Sequence, residues 1–120
     1  MTPISSAIEA FLREHLARQR DASQHTCDSY ATSFQLLFEL AAKKFNVSPS
    51  ALTLEQLDAT LIGAFLECLE QERRNSPDTR NVRLAAIKSF FRFLEYRHPA
   101  ALDQIRRVLA IPFKKTDQRL

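Results

Sequence analysis

Apolar residues recur every three or four positions along most of this chain, the pattern of helices that each hide one face. In the first such stretch, residues 5 to about 18, the stripe is Ile8, Phe11, Leu12 and Leu16, and Ser5 or Ser6 can cap its start. Polar residues 19–22 break the pattern. Ser23 then opens a second, longer helix to about residue 44, with Tyr30, Phe34, Leu37, Phe38 and Ala41 in its stripe. Residues 46–50, which include Pro49, read as a link. Thr53 can cap a short turn over 54–57, and Asp58 or Thr60 opens a third helix with Leu61, Ile62, Phe65, Leu66 and Leu69 inward. Ser76 opens a fourth helix with Pro77 at its first position, where a missing N–H costs nothing. That helix runs to about residue 96 and stops before Pro99, because the residue preceding a proline disfavours the helical conformation. A fifth, shorter helix is expected over about 99–109. Residues 111–120 have no periodicity and read as a linker or tail.

On a helical wheel the fourth helix carries two apolar stripes. One is Leu84, Ile87, Phe91 and Leu94; the other is Val82, Ala86, Phe90 and Phe93. The second stripe grades from small to large. Its aromatic end is therefore expected in the core, and its small end, flanked by Thr79, Arg80 and Arg83, against something polar. Asn81, Lys88, Ser89, Arg92 and Glu95 occupy the polar arc, so Lys88 and Arg92 are expected on a solvated face. Arg83 falls on the apolar arc. A buried, unpaired guanidinium would be costly, so its charge should reach solvent, a carboxylate or a phosphate. Phe90, Phe91 and Phe93 read as core, not as a base-stacking platform.

Composition agrees with helices. The chain has 120 residues, one of them Gly, and nine Phe, which suits one helical domain with one core. No apolar run approaches the roughly 18–20 residues of a membrane span, and the start lacks a basic-then-apolar signal pattern. Cys27 and Cys68 stand in no metal-ligand spacing and read as free thiols in a reducing cytoplasm. Among the histidines, His15 and His98 are expected at the surface. No metal or cofactor is implied. The net charge of +3 is unevenly spread: residues 1–72 hold 5 Lys/Arg against 10 Asp/Glu, and residues 73–120 hold 12 against 4. A basic second half suggests an anionic partner, although solvated amphipathic helices carry such charges too.

One internal echo sharpens that suggestion. The second helix begins Ser23-Gln24-His25-Thr26 and the fourth begins Ser76-Pro77-Asp78-Thr79. Helix capping accounts for part of this. A helix N-terminus also presents free N–H groups and positive dipole to phosphate, so two such ends side by side could straddle a groove of a duplex.

The series Phe11-Leu12, Ser23-x-x-Thr26-x-x-x-Tyr30, Phe65-Leu66 and Ser76-x-x-Thr79-Arg80-Asn81-x-Arg83, continuing as Leu84-Ala85-Ala86-Ile87-Lys88-Ser89-Phe90-Phe91-Arg92-Phe93-Leu94, resembles the N-terminal core-binding (SAM-like) domain of tyrosine recombinases of the phage-integrase type. The resemblance covers roughly residues 5–112. It implies an all-α fold, a single orthogonal bundle of four to five helices, with residues 1–110 as the DNA-binding domain and 111–120 as a linker toward a catalytic domain. It further implies that this domain lies on one face of a double-stranded recombination site while the catalytic domain closes on the other. Carried over by position, the second helix would present His25, Thr26, Ser29 and Thr32 to DNA. The fourth would present Thr79, Arg80 and Arg83, with Val82 and Ala86 near the groove floor, and Lys114 and Lys115 would lie in the linker near the backbone. Partners would be the duplex, the protein's own catalytic domain and neighbouring protomers, with no membrane. Positions 29 and 32 are often basic in such domains and are neutral here, and Asp28 and Asp78 add negative charge, so the isolated domain is expected to hold DNA loosely.

The family's phosphoryl transfer needs a tyrosine nucleophile and a cluster of Arg, Lys and His. By resemblance these follow the present domain, and Tyr30 on a core stripe and Tyr96 at a helix end do not supply them; no catalysis is expected from residues 1–120. Two other readings compete. In a protein-interaction or adaptor bundle, Leu102, Ile105, Val108 and Leu109 of the fifth helix would be the docking element. A helix-turn-helix regulator fits less well, because a whole helix intervenes between the second and fourth.

Overall fold

The computed structural model of the chain describes residues 2–18 and 24–116, with side chains described for 2–15 and 25–116. Within them the fold is all-α. The helices are α1 (Ile4–Arg18), α2 (Gln24–Phe45), α3 (Ala59–Gln71), α4 (Pro77–Arg97) and α5 (Leu102–Leu109), with single 3-10 turns at Pro49–Ala51, Leu54–Gln56 and Pro99–Ala101. The expected cap Ser23 lies outside the described residues, as does the side chain of Leu16.

Local chemistry accounts for most of the boundaries. Asp58 Oδ1 accepts the Leu61 N–H at 2.9 Å and starts α3. Ser76 Oγ accepts the Thr79 N–H at 3.2 Å and starts α4, with Pro77 in the first turn. The turn over 54–56 is closed by the Thr53 N–H donating to Gln56 Oε1 at 3.0 Å. Asn46 ends α2 in the left-handed conformation (φ 54°), and the Val47 N–H returns to the Ala42 carbonyl at 3.0 Å. The first helix starts earlier than its serines suggest. Its lead-in is held in a short antiparallel bridge, with the Ile4 N–H bonded to the Leu52 carbonyl at 3.0 Å and the Leu54 N–H to the Thr2 carbonyl at 2.8 Å.

Helix α4 is the spine. It packs against α1, α2, α3 and α5, and both of its apolar stripes are used: Leu84, Ala86, Ile87, Phe90, Phe91 and Leu94 are buried. Phe11 sits at the crossing of three helices, its ring centroid 6.0 Å from Phe34 of α2 and 5.4 Å from Phe90 of α4. The apolar face of α5 turns inward, with Ile105 and Val108 fully buried. Gln104 ties α5 to the turn beneath it by donating to the carbonyls of Leu54 (2.7 Å) and Leu57 (3.0 Å).

Two surface expectations are corrected. Lys88 is only 6% exposed, with its ammonium 4.4 Å from the centroid of Phe113; residues beyond α5 cover what would otherwise be a solvated arc. His15 is half-buried, stacked on Phe11 at 5.0 Å and on Tyr30 at 5.2 Å. Of the docking face expected of the fifth helix, Ile105 and Val108 are spent inside the molecule, Leu109 packs half-buried against the core, and Leu102 is half-buried.

Candidate nucleic-acid interface

The N-terminal halves of α2 and α4 meet at a shallow open concavity. Its walls are His25, Asp28, Ser29 and Thr32 from α2 and Thr79, Val82 and Arg83 from α4. Five residues expected at a DNA surface, His25, Ser29, Thr32, Thr79 and Arg83, thus come together although about fifty residues separate the two sets. The spacing explains the α2 set: positions 25, 28, 29 and 32 follow the three- and four-residue steps of one helix face. Val82, 48% exposed, is the apolar member of this otherwise polar wall.

Arg83 holds the two walls together. Its Nη1 donates to the Ser29 carbonyl at 3.1 Å and to Ser33 Oγ at 3.2 Å. Ser33 Oγ donates in turn to the Ser29 carbonyl at 2.8 Å. Within the domain the half-buried Arg83 is held not by a carboxylate but by a backbone carbonyl and a buried hydroxyl. Its Nε is buried without a hydrogen-bond partner among the described residues. Ser33 was missed by sequence reasoning. The available signal was a serine on the inward stripe between Tyr30 and Leu37, where a buried hydroxyl needs a partner.

The remaining expected residues lie elsewhere. Thr26 is half-buried outside the walls of the concavity. Arg80 is 9% exposed, and its Nε lies 3.1 Å from Glu70 Oε1 of α3. Lys114 pairs with the other oxygen of the same carboxylate, while Lys115 is exposed. The Lys114 ammonium, bonded to Glu70, holds that carboxyl below its ordinary value, with the charge of Arg80 adding to the effect. At the opposite end of the α4 first turn, Ser76 Oγ donates to Thr79 Oγ1 at 3.2 Å while capping the Thr79 N–H, which orients the threonine toward the concavity wall.

No helix among the described residues is long and apolar enough to cross a membrane. Cys27 and Cys68 are both free thiols.

Comparison with known proteins adds an independent line. The chain matches the family described as phage integrase, N-terminal SAM-like domain, over residues 8–98. It is 42% identical over 117 residues to the candidate integrase/recombinase y4rC of Sinorhizobium fredii, covering 98% of this chain and 35% of that protein. It is likewise 42% identical over 112 residues to the candidate integrase/recombinase y4rD of the same organism, covering 93% of this chain and 40% of that one. The tyrosine recombinase XerC of Roseiflexus castenholzii is 32% identical over 105 residues, covering 88% of this chain and 31% of its own length. The chain therefore spans between 31% and 40% of the length of these relatives. No solved structure matches it at comparable significance.

Proposed function

From the fact that this chain belongs to the phage integrase N-terminal SAM-like family, we propose that it is a double-stranded-DNA-binding module of a site-specific tyrosine recombinase, acting in the cytoplasm. The observation that carries the reading is the shared concavity, whose two walls, from α2 and α4, are polar but for a single exposed valine. Its chemistry suits a groove. The hydroxyls of Ser29, Thr32 and Thr79 donate and accept, so they can bind phosphate oxygens or base edges. Val82 offers methyl groups, the match for a thymine methyl in a major groove. The N-terminal turn of α4 adds positive dipole next to Thr79.

In this reading His25, Ser29, Thr32, Thr79 and Val82 face the duplex, and Arg83 is a positioning residue that fixes the angle between the two walls. Thr26 flanks them and Lys115 approaches the backbone. Arg80 and Lys114 serve chiefly inside the domain, through Glu70. Cleavage and joining of strands fall to a catalytic domain in a longer protein, which would also supply most of the affinity. An adaptor role gains little from α5, because Ile105 and Val108, the centre of its apolar face, are spent on the domain's own core.

The test is a titration of isotope-labelled protein with a recombination-site duplex at low salt, followed by NMR. Chemical-shift changes are expected to cluster at residues 24–33 and 78–86, and binding should weaken as salt rises. Absence of binding at low salt, or shifts confined to α5, would overturn the proposal.

A further inference from the structure

Residues 111–116, which follow α5, form no helix, yet they do not leave the domain at once. The Ile111 N–H donates to the Val108 carbonyl at 3.1 Å, and the Ile111 side chain packs against the core. The Phe113 ring lies 4.4 Å from the Lys88 ammonium. At Lys114 the attachment becomes specific. Its backbone N–H donates to Asn81 Oδ1 at 3.0 Å, and its carbonyl accepts from Asn81 Nδ2 at 2.8 Å. One carboxamide therefore satisfies both polar groups of one residue's backbone, as a neighbouring strand would. A single hydrogen bond sets a position; this pair also sets the direction in which the chain runs. The Lys114 ammonium is ion-paired with Glu70, which also holds Arg80. The segment is thus tied to α3 by charge and to α4 by a two-point bond.

We propose that Asn81 and Glu70 form a clasp that makes residues 111–114 a fixed part of the helical domain, so that the chain can leave it no earlier than Lys115, beside the N-terminal half of α4. Asn81 is a neighbour in sequence of Val82 and stands two positions from Thr79 and Arg83. Any domain joined through this segment would therefore start from a set point next to the concavity and in a set direction. A shorter free linker confines what it carries and raises its effective concentration near that surface. The clasp does not depend on what the concavity binds.

The test is amide hydrogen exchange, read by NMR on the 120-residue chain. In the unsubstituted protein the Lys114 amide is expected to exchange more slowly than that of Lys115, after correction for sequence effects. Asn81→Ala should speed Lys114 exchange by about five- to ten-fold, the loss of one hydrogen bond, while core amides such as those of Phe65 and Leu84 stay protected. Glu70→Gln should give a smaller acceleration, and Val82→Ala, adjacent but outside the clasp, none. Trypsin should cut after Lys114 faster in the Asn81→Ala protein. Equal corrected rates at Lys114 and Lys115 in the unsubstituted protein would overturn the clasp, and that comparison requires no variant to fold. So would an unchanged Lys114 rate in a folded Asn81→Ala protein. Neither readout involves DNA, so failure of the clasp and failure of the DNA reading are separate results.

Discussion

Two arginines three positions apart on α4 carry the same charge to different ends. Arg80 meets a carboxylate of α3, and Arg83 meets a carbonyl and a hydroxyl of α2. Replacing Arg83 by Ala removes charged donors from a partly buried carbonyl and from Ser33, and is expected to lower stability by about 1.5–3 kcal/mol. Urea denaturation measures this; a stability unchanged by the substitution would refute the bracing role. His15 supplies a second prediction. Burial against Phe11 and Tyr30 lowers its pKa from the ordinary 6.5. Below 6.5 the unfolded chain takes up a proton there more readily than the folded one, so the folded state loses stability as pH falls through 6.5 toward the folded value. The melting temperature should drop on acidification across that range, and His15→Phe should flatten the drop. Sequence alone put Arg83 on an apolar arc and so demanded a partner. It could not name Ser29 and Ser33, because they are 54 and 50 residues away.

At the scale of elements, boundaries set by neighbours in sequence were legible and those set from a distance were not. The caps Asp58 and Ser76 act on residues three positions on, within one helical turn. Ser76→Ala is expected to cost about 1 kcal/mol and to weaken duplex binding, since the same hydroxyl orients Thr79. Calorimetry with a duplex titration reads both, and intact affinity would remove Thr79 from the interface. The start of α1 shows the other case. Its serines are ordinary capping residues, yet the helix begins at Ile4, because residues 2–4 are held by backbone bonds to residues 52 and 54. The fifth helix was legible as an amphipathic element, but an apolar stripe does not say what it faces. Here it faces α3 and α4.

For the whole molecule, the aromatic cluster and the charge distribution each allow a prediction. Phe11 contributes its ring to neighbours on α2 and α4 and is 1% exposed. Phe11→Ala should cost about 3–5 kcal/mol, a large share of the roughly 5–15 kcal/mol that holds a small domain folded. A variant that keeps its melting temperature would contradict the packing described. The basic surplus of the second half is partly spent within the fold, on Glu70, on Ser29 and under Phe113. Duplex binding by this chain should therefore show a shallow dependence on salt, equivalent to about four phosphates or fewer. A steep slope would mean that cations outside the concavity dominate contact.

What the sequence determined by itself was the helical class, the positions of the five helices, the inward stripes and the family. All of these rest on interactions within a turn or two of helix, or on a pattern carried along the chain. Tertiary structure alone decided where the charges went. Lys88 left the solvated arc, Arg80 and Lys114 were gathered on Glu70, and Asn81 took hold of a backbone 33 residues away. A charged or amide side chain seeks whichever complementary group the packed apolar faces bring within about 3 Å. That proximity comes from the folding of the core and leaves no mark in the local periodicity.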